Sequence, residues 1–204
     1  MSERVIAYID GFNLYFGLRD NGWRSCYWLN VKLLCEGLLL PNQQLIQTKY
    51  FTSRIRGNPS KCARQDAFIR AIKTIPGISV RKGRYSTKTY ECRNCSQIKK
   101  LPSEKMTDVR IASEMVSDAH LNKYDTAFLI TGDKDFVPAI EIIKSQLSRK
   151  CVVVIFPPNR QCDDLKKIAN VALHISKGLL RRSLLPRVIT LPHGRTITCP
   201  PSWT

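Results

Sequence analysis

No apolar run in this 204-residue sequence approaches the roughly 18 to 20 residues that would span a bilayer. The longest candidate, around Leu38-Leu39-Leu40, is far too short, so no membrane partner is expected. The first residues, Met1-Ser2-Glu3-Arg4, run straight into a strand-like segment without the pattern of a signal peptide, which makes the cytoplasm the expected compartment. A Gly-rich phosphate loop is also missing, and this speaks against a nucleotide hydrolase or phosphatase. Cys92-Arg93-Asn94-Cys95 has no second CxxC to complete a zinc ribbon, and His120, His174 and His193 lack metal-ligand spacing. There is no internal repeat and no low-complexity tract. Acids are scarce: 16 Asp and Glu face 33 Lys and Arg, a formal charge of +17 that attracts polyanions, nucleic acid first among them.

What is present suits one ordinary domain, with a hydrophobic fraction of 43% supplying a core. The eight cysteines are scattered over the whole chain, several in apolar settings such as Cys35 and Cys151, so free thiols are expected rather than a disulfide scaffold. Arg4 to Ile9 is nearly continuous in apolar and β-branched residues, as in a strand covered on both faces. Further strands are expected over 47–54, 78–85, 126–130, 151–156 and 171–175, alternating with helices over 12–18, 31–34, 59–75, 103–120, 136–147, 163–169 and 176–182. Such alternation predicts a parallel sheet with helices on both faces. Over 103–120, Val109, Ala112, Val116 and Ala119 recur at helical spacing and are expected to form the buried stripe. The composition divides the chain into a domain over 1–182, with a Cys-containing loop at 86–103, and a basic, Pro-containing extended tail over 183–204.

In an open parallel sheet, functional groups gather beyond the carboxyl ends of the strands. Asp10 ends the first strand, and Asp133 and Asp135 follow the 126–130 strand. If those strands are neighbours, the three acids share one pocket. Asp108 lies at the edge of the expected helical stripe, either as a solvated boundary residue or as a fourth acid turned to that pocket. Each piece has a plainer reading: Asp10-Gly11 as a turn, Asp133 as a helix cap. Clustered carboxylates repel one another unless a cation neutralises them, and Mg²⁺ is a hard ion that takes oxygen ligands.

Tyr8-Ile9-Asp10-Gly11-Phe12-Asn13-Leu14, Glu104-Lys105-Met106-Thr107-Asp108-Val109 and Ile130-Thr131-Gly132-Asp133-Lys134-Asp135-Phe136 together resemble the three signature blocks of the NYN domain, a PIN-like nuclease family. The resemblance spans roughly Val5 to Ile175. It implies a Rossmann-like (PIN-like) three-layer sandwich, a Mg²⁺ or Mn²⁺ site and ribonuclease activity. By that resemblance Asp10, Asp108 and Asp133 bind the metal, Asp135 is an accessory acid, and Asn13 is the polar residue after the first strand. Asn13 has a second reading as a helix cap.

Lys49 to Lys105 carries fifteen Lys and Arg against three acids. Arg54, Arg56, Arg81, Lys82, Arg84, Lys88 and Lys105, with Lys134 beside the last acids, are the candidate phosphate contacts, and Tyr85 and Tyr90 the candidate base-stacking groups. The plainer reading is a solvated basic face. Cys92 and Cys95 are either loop thiols or half a zinc site. The tail packs back on the domain, reaches along RNA or bridges to another copy as a homo-oligomer, and Trp203 hints at an anchored end. The expected function is a metal-dependent endoribonuclease. Its rival is a nucleic-acid-binding module without catalysis, and DNA fits charge and spacing as well as RNA does.

Overall fold

The computed structural model describes the backbone of residues 2–91 and 98–203 and the side chains of residues 2–83 and 106–203. The first apolar segment forms β1 (Glu3–Asp10), with Val5 to Ile9 buried from both sides. It is followed by α1 (Gly11–Asp20), α2 (Val31–Glu36), β2 (Gln43–Thr52), α3 (Pro59–Ile72) and β3 (Ile78–Lys82). Next come an antiparallel ribbon of β4 (Arg84–Glu91) and β5 (Ile98–Lys105), then α4 (Thr107–His120), β6 (Thr126–Ile130), α5 (Val137–Gln146) and β7 (Cys151–Phe156). α6 (Asp163–Ile168), β8 (Val171–His174), α7 (Lys177–Arg182), β9 (Val188–Thr190) and β10 (Thr196–Thr198) complete the described chain.

Six strands form one parallel sheet in the order β3-β2-β1-β6-β7-β8. Side chains alternate across a strand, so β1 divides its apolar residues between two cores. Val5, Ala7 and Ile9 meet α1, α2, α3 and α7 on one face, while Ile6 and Tyr8 meet α4, α5 and α6 on the other. The expected α/β three-layer architecture with a mostly parallel sheet is what the chain adopts. Strand order runs outward from β1 in one direction and from β6 in the other, which places the topological switch point between those two strands.

Three local expectations are corrected by tertiary contacts. The strand expected over 78–85 breaks at Gly83, and the helix expected from Ser103 begins only at Thr107, because Ile98–Lys105 pairs with Arg84–Glu91. Met106, in the left-handed region at φ 79°, turns the chain from the ribbon into α4.

The buried stripe of α4 is Ile111, Met115 and Ala119, and Val109 is 67% exposed. Asp118, which is not part of the expected stripe, is buried. Its carboxylate accepts from Tyr8 Oη at 2.6 Å and from Lys123 Nζ at 3.0 Å, and it pairs closely with buried Lys49. Lys49 also reaches Glu114 at 3.0 Å. Burial by itself raises the Asp118 carboxyl, but the hydrogen bonds from Lys49, Tyr8 and Lys123 outweigh it and hold the group below the usual carboxylate range. These ion pairs fix the rotation of α4, and a periodicity count on the helix alone does not contain them.

Of the alternatives for the C-terminal segment, the structure has the one in which it packs back on the domain, so 183–203 is docked rather than extended. Leu185, Ile197 and Cys199 are buried in the β1–α1 core, β9 and β10 pair as a hairpin, and Trp28 Nε1 donates to Pro186 O at 2.8 Å. Trp203 closes this arrangement with ring contacts to Tyr27, Trp28 and Phe68 at 5.5, 6.3 and 6.3 Å between centroids. Apolar residues spaced among the prolines supply the burial that holds it. Among the described residues, Cys26, Cys35, Cys62, Cys151, Cys162 and Cys199 are free thiols, and no helix is long and apolar enough to cross a membrane.

Candidate active site

β1 and β6 run side by side in parallel, with Ile9 opposite Ile130, so Asp10 and the Thr131-Gly132-Asp133 turn emerge together at the carboxyl edge. Asp10 is 5% exposed. Its Oδ1 caps α1, accepting from Phe12 N at 3.1 Å and Asn13 N at 3.0 Å, and its Oδ2 accepts from Thr131 Oγ1 at 3.3 Å. Thr131 Oγ1 in turn accepts from Asp133 N at 3.2 Å. Asn13 Oδ1 accepts from Gly132 N at 3.0 Å, tying the first turn of α1 to the same loop. One chain of hydrogen bonds therefore connects Asp10, Asn13, Thr131 and Asp133. Of the plainer readings the cap at Asp133 holds, since it accepts from Asp135 N at 3.0 Å ahead of the 3₁₀ turn Lys134–Phe136, whereas Asp10-Gly11 is no turn and Asn13 no cap: Gly11 already begins α1, and Asp10 caps it. Capping and site formation are compatible because each carboxylate has two oxygens.

Asp108 is half-buried in the first turn of α4. The neighbouring Thr107 Oγ1 lies 3.2 Å from Ser53 Oγ just past β2, which ties the first turn of α4 to the end of that strand. Asp135 is exposed and lines an open groove between α5 and α6 with Lys134, Glu141, Asp164 and Lys167. Among the described residues, no three His, Cys, Asp or Glu are grouped as a finished metal cage. The donor set is still all hard oxygen, which fits Mg²⁺ or Mn²⁺, ions that bind through one or two carboxylates and complete their shell with water and phosphate oxygens.

Gly132 is held by lack of space. A Cβ there would lie 1.8 Å from the Arg160 carbonyl oxygen in the loop after β7. Gly132→Ala is expected to push the two loops apart, costing about 1–3 kcal/mol as overpacking does and breaking the Asn13 contact. Chemical denaturation measures this, and an unchanged midpoint would show that the loops yield freely.

The basic residues divide. Arg54 and Arg56 follow β2, the neighbour of β1, and Arg81 and Lys82 end β3 on the same edge as Asp10, their backbone about 10 Å away across two strand spacings. Arg54 contacts Asp66 at 3.7 Å and Arg81 contacts Glu114 at 3.3 Å, while Arg56 and Lys82 are exposed without an ion pair among the described residues. The side chains of Arg84, Tyr85, Lys88, Tyr90 and Lys105, and the Cys92-Cys95 pair, lie outside the described residues.

Beside the acids lies a feature that no sequence motif announced. A cavity of about 510 Å³ opens behind Gly11 and Phe12, walled by Tyr15, Phe68 and Trp203 and edged by Arg19, Arg24, Lys61 and Arg64. Tyr50 forms part of its floor; burial, reinforced by the Asp10 charge, pushes its phenol up, so it stays protonated. The other missed group is Thr131. Its signal was in plain view as the residue before Gly132-Asp133, but only the β1–β6 pairing gives it both acids as partners.

A doubly wound parallel sheet with paired acids at its switch point defines a Rossmann-like α/β protein with a polar crevice site. The chain belongs to the NYN domain family, whose model matches residues 4–176, and so to the PIN-like nuclease superfamily. It is 27% identical to the 6-hydroxy-3-succinoylpyridine 3-monooxygenase HspA of Pseudomonas putida (strain DSM 28022 / S16), across 98% of this chain and 75% of that protein. A crystal structure of a protein of unknown function from Vibrio parahaemolyticus shares the fold, with a TM-score of 0.59 and 21% identity over 90% of this chain and 97% of that one.

Proposed function

We propose that this chain is a metal-dependent endoribonuclease whose site is the crevice between the ends of β1 and β6. The observation that carries the reading is the hydrogen-bonded link from Asp10 through Thr131 to Asp133 at the switch point. Asp10 and Asp133 are the principal holders of Mg²⁺ or Mn²⁺, with Asp108 contributing from α4 and Asp135 in support. Such an ion, when bound, neutralises phosphate charge and makes a water more acidic. Asn13 is held through its Oδ1 by Gly132 N–H and presents its Nδ2–H groups to a water or a phosphate oxygen. Arg54, Arg56 and Lys82 take neighbouring phosphates and set the strand across the edge without reading sequence. In the reaction, water oxygen bonds to phosphorus, one P–O ester bond breaks, and the departing oxygen takes up a proton. RNA is the polymer on family grounds, since the charge suits DNA equally.

The test is incubation of purified protein with end-labelled single-stranded RNA in Mn²⁺ or Mg²⁺, then in EDTA. Internal fragments that appear with metal and vanish with chelator are the expected result. Salt-sensitive binding with no product under any metal would replace the reading by a binding module.

The aromatic cavity favours a second reading, because its size suits a small molecule and the Pseudomonas relative is named for oxygenation of a substituted pyridine. On that reading the substrate is a small aromatic acid, and the reaction consumes O₂ and a two-electron reductant. Oxygen uptake dependent on such an acid and on a reduced nicotinamide, with no RNA cleavage, would favour it.

A further inference from the structure

The cavity beside Asp10 has a chemistry of its own. Its walls are aromatic: Tyr50 packs edge-on against Phe68 at 5.7 Å between centroids, and Phe68 packs against Trp203 at 6.3 Å. Among the described residues, no acid lines it, whereas four cations do. Arg19 is committed to Asp20 and to the Phe16 ring, at 2.8 Å and 4.6 Å. Arg24, Lys61 and Arg64 have no ion pair among the described residues, so three uncompensated cations stand at the rim of an aromatic slot.

Tyr50 supplies the second, independent observation. It is 94% buried, lines the cavity, and among the described residues its hydroxyl makes no hydrogen bond. The hydroxyl oxygen is not itself sealed off but opens onto the cavity, so it is a donor positioned to bond a ligand atom there. Gly11 lets that hydroxyl reach the crevice wall: a Cβ at Gly11 would lie 2.5 Å from Tyr50 Oη. The floor of the cavity and the carboxylate of Asp10 are thus separated by one residue of chain.

We propose that this cavity binds a single unpaired nucleotide of the RNA, with the base between the aromatic walls and on the Tyr50 hydroxyl, and its phosphate on Arg24, Lys61 and Arg64. A planar ring joined to an anion is what aromatic walls with a cationic rim select, and about 510 Å³ suits a ligand the size of one nucleotide rather than a duplex. The cavity then acts as an anchor that seats the adjoining phosphodiester at Asp10 and Asp133. It also restricts cleavage to strands whose bases are free. The proposal rests on the ribonuclease reading only for its link to cleavage, so its test is a binding measurement made without metal.

Tryptophan fluorescence, with Trp203 in the cavity wall as the reporter, follows titration of AMP and UMP into the full chain in EDTA. Saturable binding is expected, with the signal change lost in Trp203→Phe. Tyr50→Phe, Arg24→Ala and Arg64→Ala, each first shown to melt like the parent, are expected to weaken binding, the arginine variants by about tenfold. Ribose 5-phosphate, which lacks the ring, is expected to compete poorly. The proposal fails if ribose 5-phosphate competes as well as AMP, if folded arginine and Tyr50 variants bind unchanged, or if nicotinate binds more tightly than any nucleotide. That last outcome would assign the cavity to small aromatic acids. Binding of mononucleotides by a protein that cleaves no RNA would leave the site standing and overturn only the ribonuclease reading.

Discussion

Replacing Asp10 by asparagine is expected to lower RNA cleavage by about two to three orders of magnitude, the scale seen when one preorganised electrostatic group is removed from an active site, while the melting temperature changes little. The two halves of this expectation come from the two oxygens. Oδ1 caps α1 through Phe12 and Asn13, and asparagine caps equally well, so the helix start survives. Oδ2 accepts from Thr131 and carries the charge that the proposed site would use to hold a cation. Asp10→Ala removes both functions and is expected to cost about 1 kcal/mol of stability in addition, as lost N-caps do. Asp133→Asn should behave like Asp10→Asn, because Asp133 is a cap in the same way. Single-turnover cleavage of labelled RNA beside thermal melts measures both quantities. If Asp10→Asn cleaves at the parent rate, the crevice is not where the chemistry happens.

The largest effect on stability is expected away from the site, at Asp118. Asp118→Asn removes the charge that neutralises Lys49, which is 5% exposed and, among the described residues, is left with Glu114 at 3.0 Å as its acidic partner. Breaking a buried ion pair by removing one member costs about 3–5 kcal/mol, since the other charge stays out of water. The double variant Lys49→Met/Asp118→Leu should cost less than the single one, because no lone charge remains buried.

The same group gives a pH signature. Asp118 titrates lower in the folded chain than the roughly 3.9 of an unfolded aspartate, so its contribution is complete above that value and is lost as pH falls through the lower folded one. Urea midpoints should therefore fall steeply below about pH 4 in the parent and less steeply in Asp118→Asn. Equal slopes would mean that Asp118 is not held down by Lys49, Tyr8 and Lys123.

Local chemistry made much of this protein readable in one dimension. Val5 to Ile9 and Thr126 to Ile130 are apolar on both faces, and only a doubly covered parallel strand accommodates that. Acids immediately after two such strands fall on the carboxyl edge whatever the rest of the chain does, so Asp10 and Asp133 were legible from their positions alone. Asp108 was legible mainly through the Glu104 to Val109 block, since the helix that carries it starts later and is rotated differently from what its own periodicity gives.

What the sequence could not decide are the contacts made across large separations. Lys49 meets Asp118 through 69 residues of chain, and Thr131 meets Asp10 through 121. Ile98–Lys105 became a strand because Arg84–Glu91 was beside it, against a helical reading that was locally reasonable. Trp203 reached Phe68 because burying an indole in an aromatic wall outweighs the disorder that a Pro-containing segment would otherwise keep. The amino-acid order by itself determined the sheet, its polarity and the two acids at its edge, because these follow from burial pattern and strand ends. Only the tertiary structure decided the rotation of α4, the docking of the C-terminal segment and the aromatic cavity with Tyr50 in its floor. Each of those is set by which distant groups exclude water together, and the energy of doing so belongs to the pair rather than to either residue.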